Sequence, residues 1–168
     1  MKISTKVECG IIALIDIAIH SENGEAVAVS SISKRQNISV KYLEQILVAL
    51  RQTHLIRGIK GFKGGYVVAR PANQISFQEI IDALDITILG DVDAGGADDT
   101  SLLKATIQES LWDKMTAYLR QFCTGITLQD MMDRYRSAIP QDEAFLNLPE
   151  LDLTPFKKGG RKILESFN

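Results

Sequence analysis

Residues 39–70 restrict the fold more than any other part of the sequence, because a helical pattern is followed at once by a strand pattern. Between Ser39 and Gln52 the apolar residues recur at the spacing of one helix face, as Leu43, Ile46, Leu47 and Leu50. Residues 54–60 and 65–70 then contain β-branched and aromatic side chains, with the glycine-rich turn 61–64 between them. We therefore predict a helix capped by Ser39 and, directly after it, a β-hairpin.

A shorter helix is predicted just before this one, from Ser31 to Gln36, with Ser30 as its N-cap. Only Asn37 and Ile38 separate the two helices, so the pair has the form of a helix-turn-helix. Generic helical hairpins share that form, but a basic hairpin directly after the second helix is typical of a wing. The predicted fold is therefore mainly α-helical with a small β-hairpin wing, a winged helix-turn-helix.

Two further helices complete the winged domain, which we assign to residues 1–84. The apolar run that begins at Ile11 predicts a helix from Ser4 to His20, and Thr5 and Glu8 stand at the spacing of a capping box. Residues 76–84 predict another short helix. This domain precedes a region of different composition.

Residues 85–100 read as an acidic loop, and the long helix predicted from Ser101 to Cys123 follows it. Apolar residues recur along that helix at spacings of three or four, as Leu103, Ile107, Leu111, Met115, Leu119 and Phe122. Something must cover so long a stripe, and we favour a second copy of the chain over the chain's own amino-terminal domain. Residues 101–139 then hold this dimerisation helix and one more helix, and 140–168 are predicted to be a loosely ordered tail.

The charge is distributed unevenly along the chain. Residues 1–70 carry a formal charge of +5, whereas residues 71–168 carry −7. Within 34–70 a single acid, Glu44, accompanies eight cations, which are Lys34, Arg35, Lys41, Arg51, Arg57, Lys60, Lys63 and Arg70. Runs of charge usually serve as solvated surface, but an imbalance of this size favours a polyanionic partner such as double-stranded DNA.

The outer face of the helix 39–52 carries side chains that suit base recognition. Gln45 can pair with adenine, Glu44 can accept from the amino group of cytosine, and Lys41 can reach guanine or a phosphate. Tyr42 is better suited to contact a phosphate or to brace the helix. The alternative is an ordinary solvated helix face on which Lys41 pairs with Gln45.

Four further residues complete the predicted DNA-binding set. Ser39 and Arg51 lie at the two ends of the same helix and are predicted to belong to the DNA-binding surface. On the wing, Lys60 and Lys63 are long cations beside glycine bends, where the backbone can approach DNA closely. They suit insertion beside or into the minor groove.

The chain contains two cysteines, which are too few for a disulfide framework and indicate a reducing cytoplasm. Cys9 lies near a helix N-terminus, where the helix dipole would lower the pKa of a redox-active thiol. A small buried apolar side chain is the interpretation of Cys9 that we favour. Cys123 is also predicted to serve in packing.

Other function classes receive little support from the sequence. No catalytic triad or metal-ligand set is found, and the glycines of 61–65 lie between strands, whereas a phosphate loop opens a helix. The aspartates of the loop 85–100 are predicted to be solvated and not to bind calcium. The apolar run 11–19 is interrupted by Asp16 and is too short to cross a bilayer. We predict neither an enzyme nor a membrane protein.

Three stretches of the sequence resemble the Rrf-type family of bacterial winged-helix regulators. They are residues 1–6, residues 38–47 with Tyr42-Leu43-Glu44-Gln45, and residues 57–66 with Lys60-Gly61-Phe62-Lys63-Gly64-Gly65-Tyr66. The resemblance covers about 1–139 and implies a homodimer whose long helices cross between subunits. It implies base contacts from positions 41, 44 and 45 and a minor-groove cation at position 60. Relatives carry a small hydroxyl residue and an arginine at positions 41 and 60, so the preferred inverted-repeat operator is expected to differ.

The resemblance also identifies a departure from the family. Cluster-binding relatives carry three cysteines in the region that matches about 91–106, and this chain has none there. We therefore expect no iron–sulfur cluster or other cofactor. Glu8 matches a position where some relatives use an acidic ligand, but its predicted capping role with Thr5 explains it sufficiently. The expected function is a DNA-binding transcriptional repressor. The alternative is a regulator whose DNA binding depends on a metabolic enzyme or a small molecule as corepressor.

Overall fold

The computed structural model describes residues 3–90 and 102–138 and confirms a mainly helical fold with one β-hairpin. The elements in chain order are α1 (Thr5–His20), α2 (Val29–Gln36), α3 (Val40–Gln52), β1 (Ile56–Ile59), β2 (Gly65–Val68), α4 (Phe77–Leu84), α5 (Leu102–Ile107), α6 (Asp113–Thr124) and α7 (Leu128–Ala138). Residues up to Asp133 form one compact unit, and a second unit runs from Arg134 to Asn168. The aspartates at 91–99 and the predicted tail 140–168 lie outside the described residues.

None of the helices in the described part of the chain combines the length and the apolar composition that a membrane crossing requires.

The capping box predicted for Thr5 and Glu8 at the start of α1 is wrong. Ser4 has an extended backbone and is the N-cap, and its Oγ accepts from the N–H of Val7 at 3.4 Å. Thr5 is already helical, so its hydroxyl cannot occupy the capping position. Glu8 is exposed in the first turn, where its charge lies at the positive end of the helix dipole.

The start predicted for α2 is also wrong, by two residues. The helix begins at Val29, and Ala28 is its N-cap without a side-chain hydrogen bond. Ser30, predicted as the cap, is a helical residue. The backbone of Ala28 is extended because Val27, just before it, pairs with the hairpin, and α2 begins directly after that pairing.

The core lies between α1, α2, α3, α4, α7 and the hairpin. The face of α3 predicted to be buried is fully buried, since Leu43, Ile46, Leu47 and Leu50 are all 0% exposed. Burial of side chains of this size contributes about 1.5–3 kcal/mol each relative to exposure. This face therefore fixes which side of α3 remains in solvent.

A buried carboxylate joins α1 to α2. Asp16 is 2% exposed, and its two oxygens accept hydrogen bonds from Arg35 Nε at 2.9 Å, Arg35 Nη2 at 2.6 Å and Gln36 Nε2 at 2.8 Å. His20 adds to the cluster, because its Nδ1 lies 2.8 Å from the carbonyl oxygen of Asp16 and 3.7 Å from Oδ1. The bidentate pairing of Arg35 with Asp16 fixes the orientation of both side chains.

The charge of Asp16 is maintained despite its burial. Burial by itself raises the pKa of the carboxyl, but hydrogen bonds from Arg35 and Gln36, with the positive charges of Arg35 and His20, outweigh that effect. The pKa of Asp16 therefore lies below its ordinary value. The hydrogen bonds and charge of Asp16 likewise raise the pKa of the Arg35 guanidinium.

The long helix predicted from Ser101 to about Cys123 is present as a continuous helical run from Leu102 to Thr124, and it contains a π-helical turn that the sequence did not predict. A π-helical turn at Gln108–Trp112 separates α5 from α6, and the N–H of Asp113 donates to the carbonyl of Gln108. Apolar residues four apart advance about 40° per step around an α-helix, so its stripe would drift around the surface. A π-turn winds less per residue and brings the later positions back toward the same face.

The carboxylate of Asp16 makes a stability prediction possible. Replacing Asp16 by Asn removes the charge, and we expect the free energy of unfolding at pH 7 to fall by about 1.5–3 kcal/mol, the range for a hydrogen bond to a charged group. Because the folded pKa is lowered, this stabilisation is present above about pH 4, the ordinary value for Asp, and disappears as the pH falls through the folded pKa. Urea unfolding of D16N and the unsubstituted protein from pH 7 to pH 3 measures both effects.

Glu25, an exposed carboxylate, provides the matched control. The Glu25→Gln variant should unfold like the unsubstituted protein at neutral pH. Equal stabilities for D16N and E25Q at pH 7 would show that the Asp16 cluster does not hold α2 on α1.

Candidate nucleic-acid interface

The side of α3 that faces away from the core carries the predicted contact residues. Lys41, Glu44, Gln45 and Arg51 are exposed, whereas Tyr42 is half-buried and packs against the core. Exposed apolar side chains also lie on α3, at Val40 and Val48. The structure therefore brings the four predicted polar residues to the solvent side of one helix and leaves Tyr42 packed against the core.

The N-terminus of α3 is set by its cap and by the turn before it. The Oγ of Ser39 accepts from the N–H of Tyr42 at 3.3 Å, which confirms Ser39 as the predicted cap. Asn37 ends α2 in the left-handed conformation, with φ of 53° and ψ of 40°, which asparagine tolerates better than most residues. The amide groups at the start of α3 form the positive end of a helix dipole, which suits a phosphate.

The wing is bound to the body of the domain by backbone hydrogen bonds. Tyr66 on β2 pairs with Val27, and each N–H donates to the other residue's carbonyl at 2.9 Å. A Cβ on Gly65 would lie 2.4 Å from the carbonyl oxygen of Val27, so only glycine allows this close approach. The β1–β2 register runs from Ile56 opposite Val68 to Ile59 opposite Gly65.

The tip of the wing is a tight turn that two glycines define. The N–H of Gly64 donates to the carbonyl of Gly61 at 2.9 Å, and Gly61 has a φ of 120°. A Cβ on Gly64 would lie 2.6 Å from the carbonyl oxygen of Ile59. Lys60 and Lys63 are exposed at this tip, as expected.

Two of the eight cations in residues 34–70 have structural partners. Arg35 binds Asp16, and Arg70 donates to the Gln74 carbonyl at 3.0 Å and to the carboxylate of Glu79. Burial raises the pKa of Glu79, but hydrogen bonds from Arg70 and Ser76 outweigh it and lower that pKa. The other six cations are all exposed: Lys34, Lys41, Arg51, Arg57, Lys60 and Lys63. The surface available to a polyanion is therefore smaller than the sequence indicated.

One exposed residue of the wing escaped the sequence predictions. Phe62 is 105% exposed, on the turn between Gly61 and Lys63. The sequence did indicate this exposure, because an aromatic side chain inside a glycine-rich turn has no core to pack into.

The redox interpretation of Cys9 is not supported by its surroundings. Burial raises the pKa of the Cys9 thiol, and the charge of Glu8 raises it further, so the expected lowering by the helix dipole does not occur. Cys9 packs against the main core, while Cys123 is buried with Ile81 and Leu89 in a smaller cluster. Burial also raises the pKa of Cys123, with a further contribution from Asp82. Both thiols are suited to packing.

Within residues 3–90 and 102–138, no three His, Cys, Asp or Glu side chains are grouped as metal ligands would be.

Comparison with known proteins places these features in a family. The family model "Rrf2: Iron-dependent Transcriptional regulator" matches residues 3–134. The HTH-type transcriptional regulator IscR of Cereibacter sphaeroides is 34% identical over 155 residues, which are 90% of this chain and 100% of that protein.

Solved structures show the same similarity. IscR of T. potens matches with a TM-score of 0.65 and 31% identity, over 82% of this chain and 90% of that one. CymR, the global cysteine regulator of B. subtilis, matches with a TM-score of 0.66 and 26% identity, over 79% of this chain and 97% of that one.

The close approach of Gly65 to Val27 generates a prediction about the wing. Gly65→Ala forces its Cβ into the backbone of Val27, and we expect unfolding to become easier by about 1–3 kcal/mol, as for other overpacked sites. Gly58→Ala is the matched control on the facing strand, because its Cβ would meet nothing closer than 4.0 Å. Thermal or urea unfolding of the two variants measures the difference. If G58A and G65A are equally stable, the wing is not held at Val27 as described.

Proposed function

This chain belongs to the Rrf2 family of transcriptional regulators, and on that premise we propose that it is a repressor that binds an inverted-repeat operator as a homodimer. A two-fold dimer presents two identical DNA-reading surfaces, so its operator consists of two half-sites in opposite orientation. A dimer bound across a promoter represses by occupying it. The protein is a DNA-binding regulator and not an enzyme.

The observation that carries the DNA-binding proposal is the composition of the surface formed by α3 and the wing. From residue 39 to residue 63 the sequence contains one acid, Glu44, whereas the five cations in that stretch are all exposed: Lys41, Arg51, Arg57, Lys60 and Lys63. A surface of this kind attracts the phosphates of a duplex. In the proposal α3 enters the major groove and the wing reaches the adjacent minor groove.

Each predicted contact residue has a role in this proposal. Lys41, Glu44 and Gln45 read base edges from the exposed side of α3. The capped N-terminus at Ser39 and the cation Arg51 bind phosphates, which fixes the register of the helix on the duplex. Tyr42, Lys60 and Lys63 complete the interface, and Tyr42 acts mainly by bracing α3.

The exposed stripe on α5 and α6 supports the homodimer. Leu103 is 68% exposed, Leu111 47% and Phe122 39%, and Ile107 and Met115 are exposed as well. Leu119 alone of the predicted stripe packs inward, against the cluster that contains Cys123. An apolar stripe this long on a regulator is best covered by the same stripe of a second copy, which buries it without another partner.

The residues of this chain do not fit an iron–sulfur cluster. Such clusters are held mainly by cysteine thiolates, commonly four. This chain has only Cys9 and Cys123, which pack in two separate apolar clusters and whose pKa values are both raised. We therefore propose that the protein represses without a cluster, although the matching family model is described as iron-dependent.

Substitutions on α3 and on the wing should change binding in different ways. We expect Glu44→Ala and Gln45→Ala to relax base choice by about 1–3 kcal/mol, because each removes a contact to a base edge. Lys60→Ala should weaken binding to all sequences and reduce the salt dependence by about one counterion. The measurement is selection of duplexes from a random pool by the purified protein, followed by titration at several salt concentrations.

Lys114→Ala is the matched control, since it removes an exposed cation on α6 and should leave affinity unchanged. A chelator in the binding reaction should also have no effect, because no step requires iron. If E44A and Q45A select the same sequences as the unsubstituted protein, α3 does not read bases. Loss of binding with the chelator would refute the cluster-free mechanism.

A charge placed on the α5–α6 stripe should separate the dimer. Leu111→Glu would bury a carboxylate in the interface between the two stripes, which is costly for an unpaired charge. We therefore expect sedimentation to show monomers at micromolar concentration, and we expect the operator affinity to fall at least tenfold. Ala117→Glu adds the same charge at an exposed position about 160° around the helix from Met115, and should remain dimeric. An L111E protein that stays dimeric would place the interface elsewhere.

A further inference from the structure

Phe62 is the most exposed large apolar side chain in residues 3–90 and 102–138, and nothing in the proposed function so far uses it. Burying a phenylalanine in an apolar environment is worth about 1.5–3 kcal/mol. The side chain therefore offers binding energy to any partner that has an apolar space at the position of the wing tip.

The turn holds Phe62 in a defined place. Phe62 and Lys63 are the two central residues of the turn that the Gly64-to-Gly61 hydrogen bond closes at 2.9 Å. The positive φ of Gly61 and the absence of space for a Cβ on Gly64 fix this turn at the end of the paired strands. A residue fixed in this way loses little conformational entropy when it binds.

The surroundings of Phe62 indicate which partner fits. Its neighbours in the turn are glycines and the exposed cations Lys60 and Lys63, and the acid-free stretch 45–78 surrounds it in sequence. A phenylalanine buries about 150–250 Å², far below the roughly 1,000 Å² of a stable protein–protein interface. A partner that is anionic outside and apolar between its layers fits better, and stacked base pairs have this character.

We propose that Phe62 is a wedge that enters between two adjacent base pairs from the minor groove and bends the duplex. The inference rests on the proposed DNA-binding function and extends it. Lys60 and Lys63 bind the phosphates on either side and add affinity, whereas the ring itself produces the bend. Partial unstacking costs a few kcal/mol and is easiest at pyrimidine–purine steps. The wing therefore selects a TA or CA/TG step without hydrogen-bonding to its bases.

The test uses the full-length protein and a duplex that it selects from a random pool. Phe62→Ala should bind this duplex about tenfold more weakly and bend it less, as measured by the mobility of circularly permuted fragments. Phe62→Leu retains an apolar wedge and should keep most of the bend. Lys63→Ala should bind the duplex more weakly and with a smaller salt dependence but bend it as much as the unsubstituted protein does. This variant separates the effect of the Phe62 ring from that of the neighbouring charge.

A mutant cycle with the DNA makes the test specific. Replacing the pyrimidine–purine step that faces the wing by AA/TT should weaken the unsubstituted protein about tenfold and F62A hardly at all. If F62A bends and binds the duplex as well as the unsubstituted protein, or if both proteins lose affinity equally at the altered step, the wedge is refuted. Failure of the unsubstituted protein to select any duplex would instead refute the proposed function itself.

Discussion

The hydrogen-bonded ion pair between Asp16 and Arg35 connects the elements on which the proposed reading surface depends. It joins the C-terminal half of α1 to the last turn of α2, and the left-handed Asn37 then sets the start of α3. Because Asp16 is buried, this carboxylate must be paired, and Arg35 and Gln36 of α2 satisfy both of its oxygens. The apolar face of α3 packs into the same core, and this packing fixes which side of α3 is exposed to solvent.

The wing depends on a second constraint, the contact of its base with Val27. Two backbone hydrogen bonds to Tyr66 and the close approach at Gly65 hold the hairpin against the segment that leads into α2. The wing thus contacts the segment just before α2, and the proposed reading helix α3 follows just after α2. A rigid connection of this kind lets α3 and the wing bind two grooves of the duplex without a change of conformation on binding.

The helices after the described winged elements have a different character. α6 packs on α4 through a small cluster of Ile81, Leu89 and Cys123, while the predicted apolar stripe remains largely exposed. The π-turn winds less per residue than an α-helix and so reduces the drift that a four-residue spacing gives the stripe. The proposed homodimer rests on this exposed stripe, and symmetry makes a second copy the simplest partner to cover it.

The sequence by itself determined the elements whose causes are local: the cap at Ser39, the buried face of α3, and the glycine-rich hairpin. It located α1 but assigned its capping box wrongly, and it placed the start of α2 two residues late, because the N-cap of α2 is the extended residue Ala28 and not the nearby hydroxyl residue Ser30. Only the tertiary structure decided that Arg35 and Arg70 serve Asp16 and Glu79, and that Cys9 has a raised pKa. Asp16 and Arg35 are 19 residues apart, and periodicity carries no information about such distant pairs.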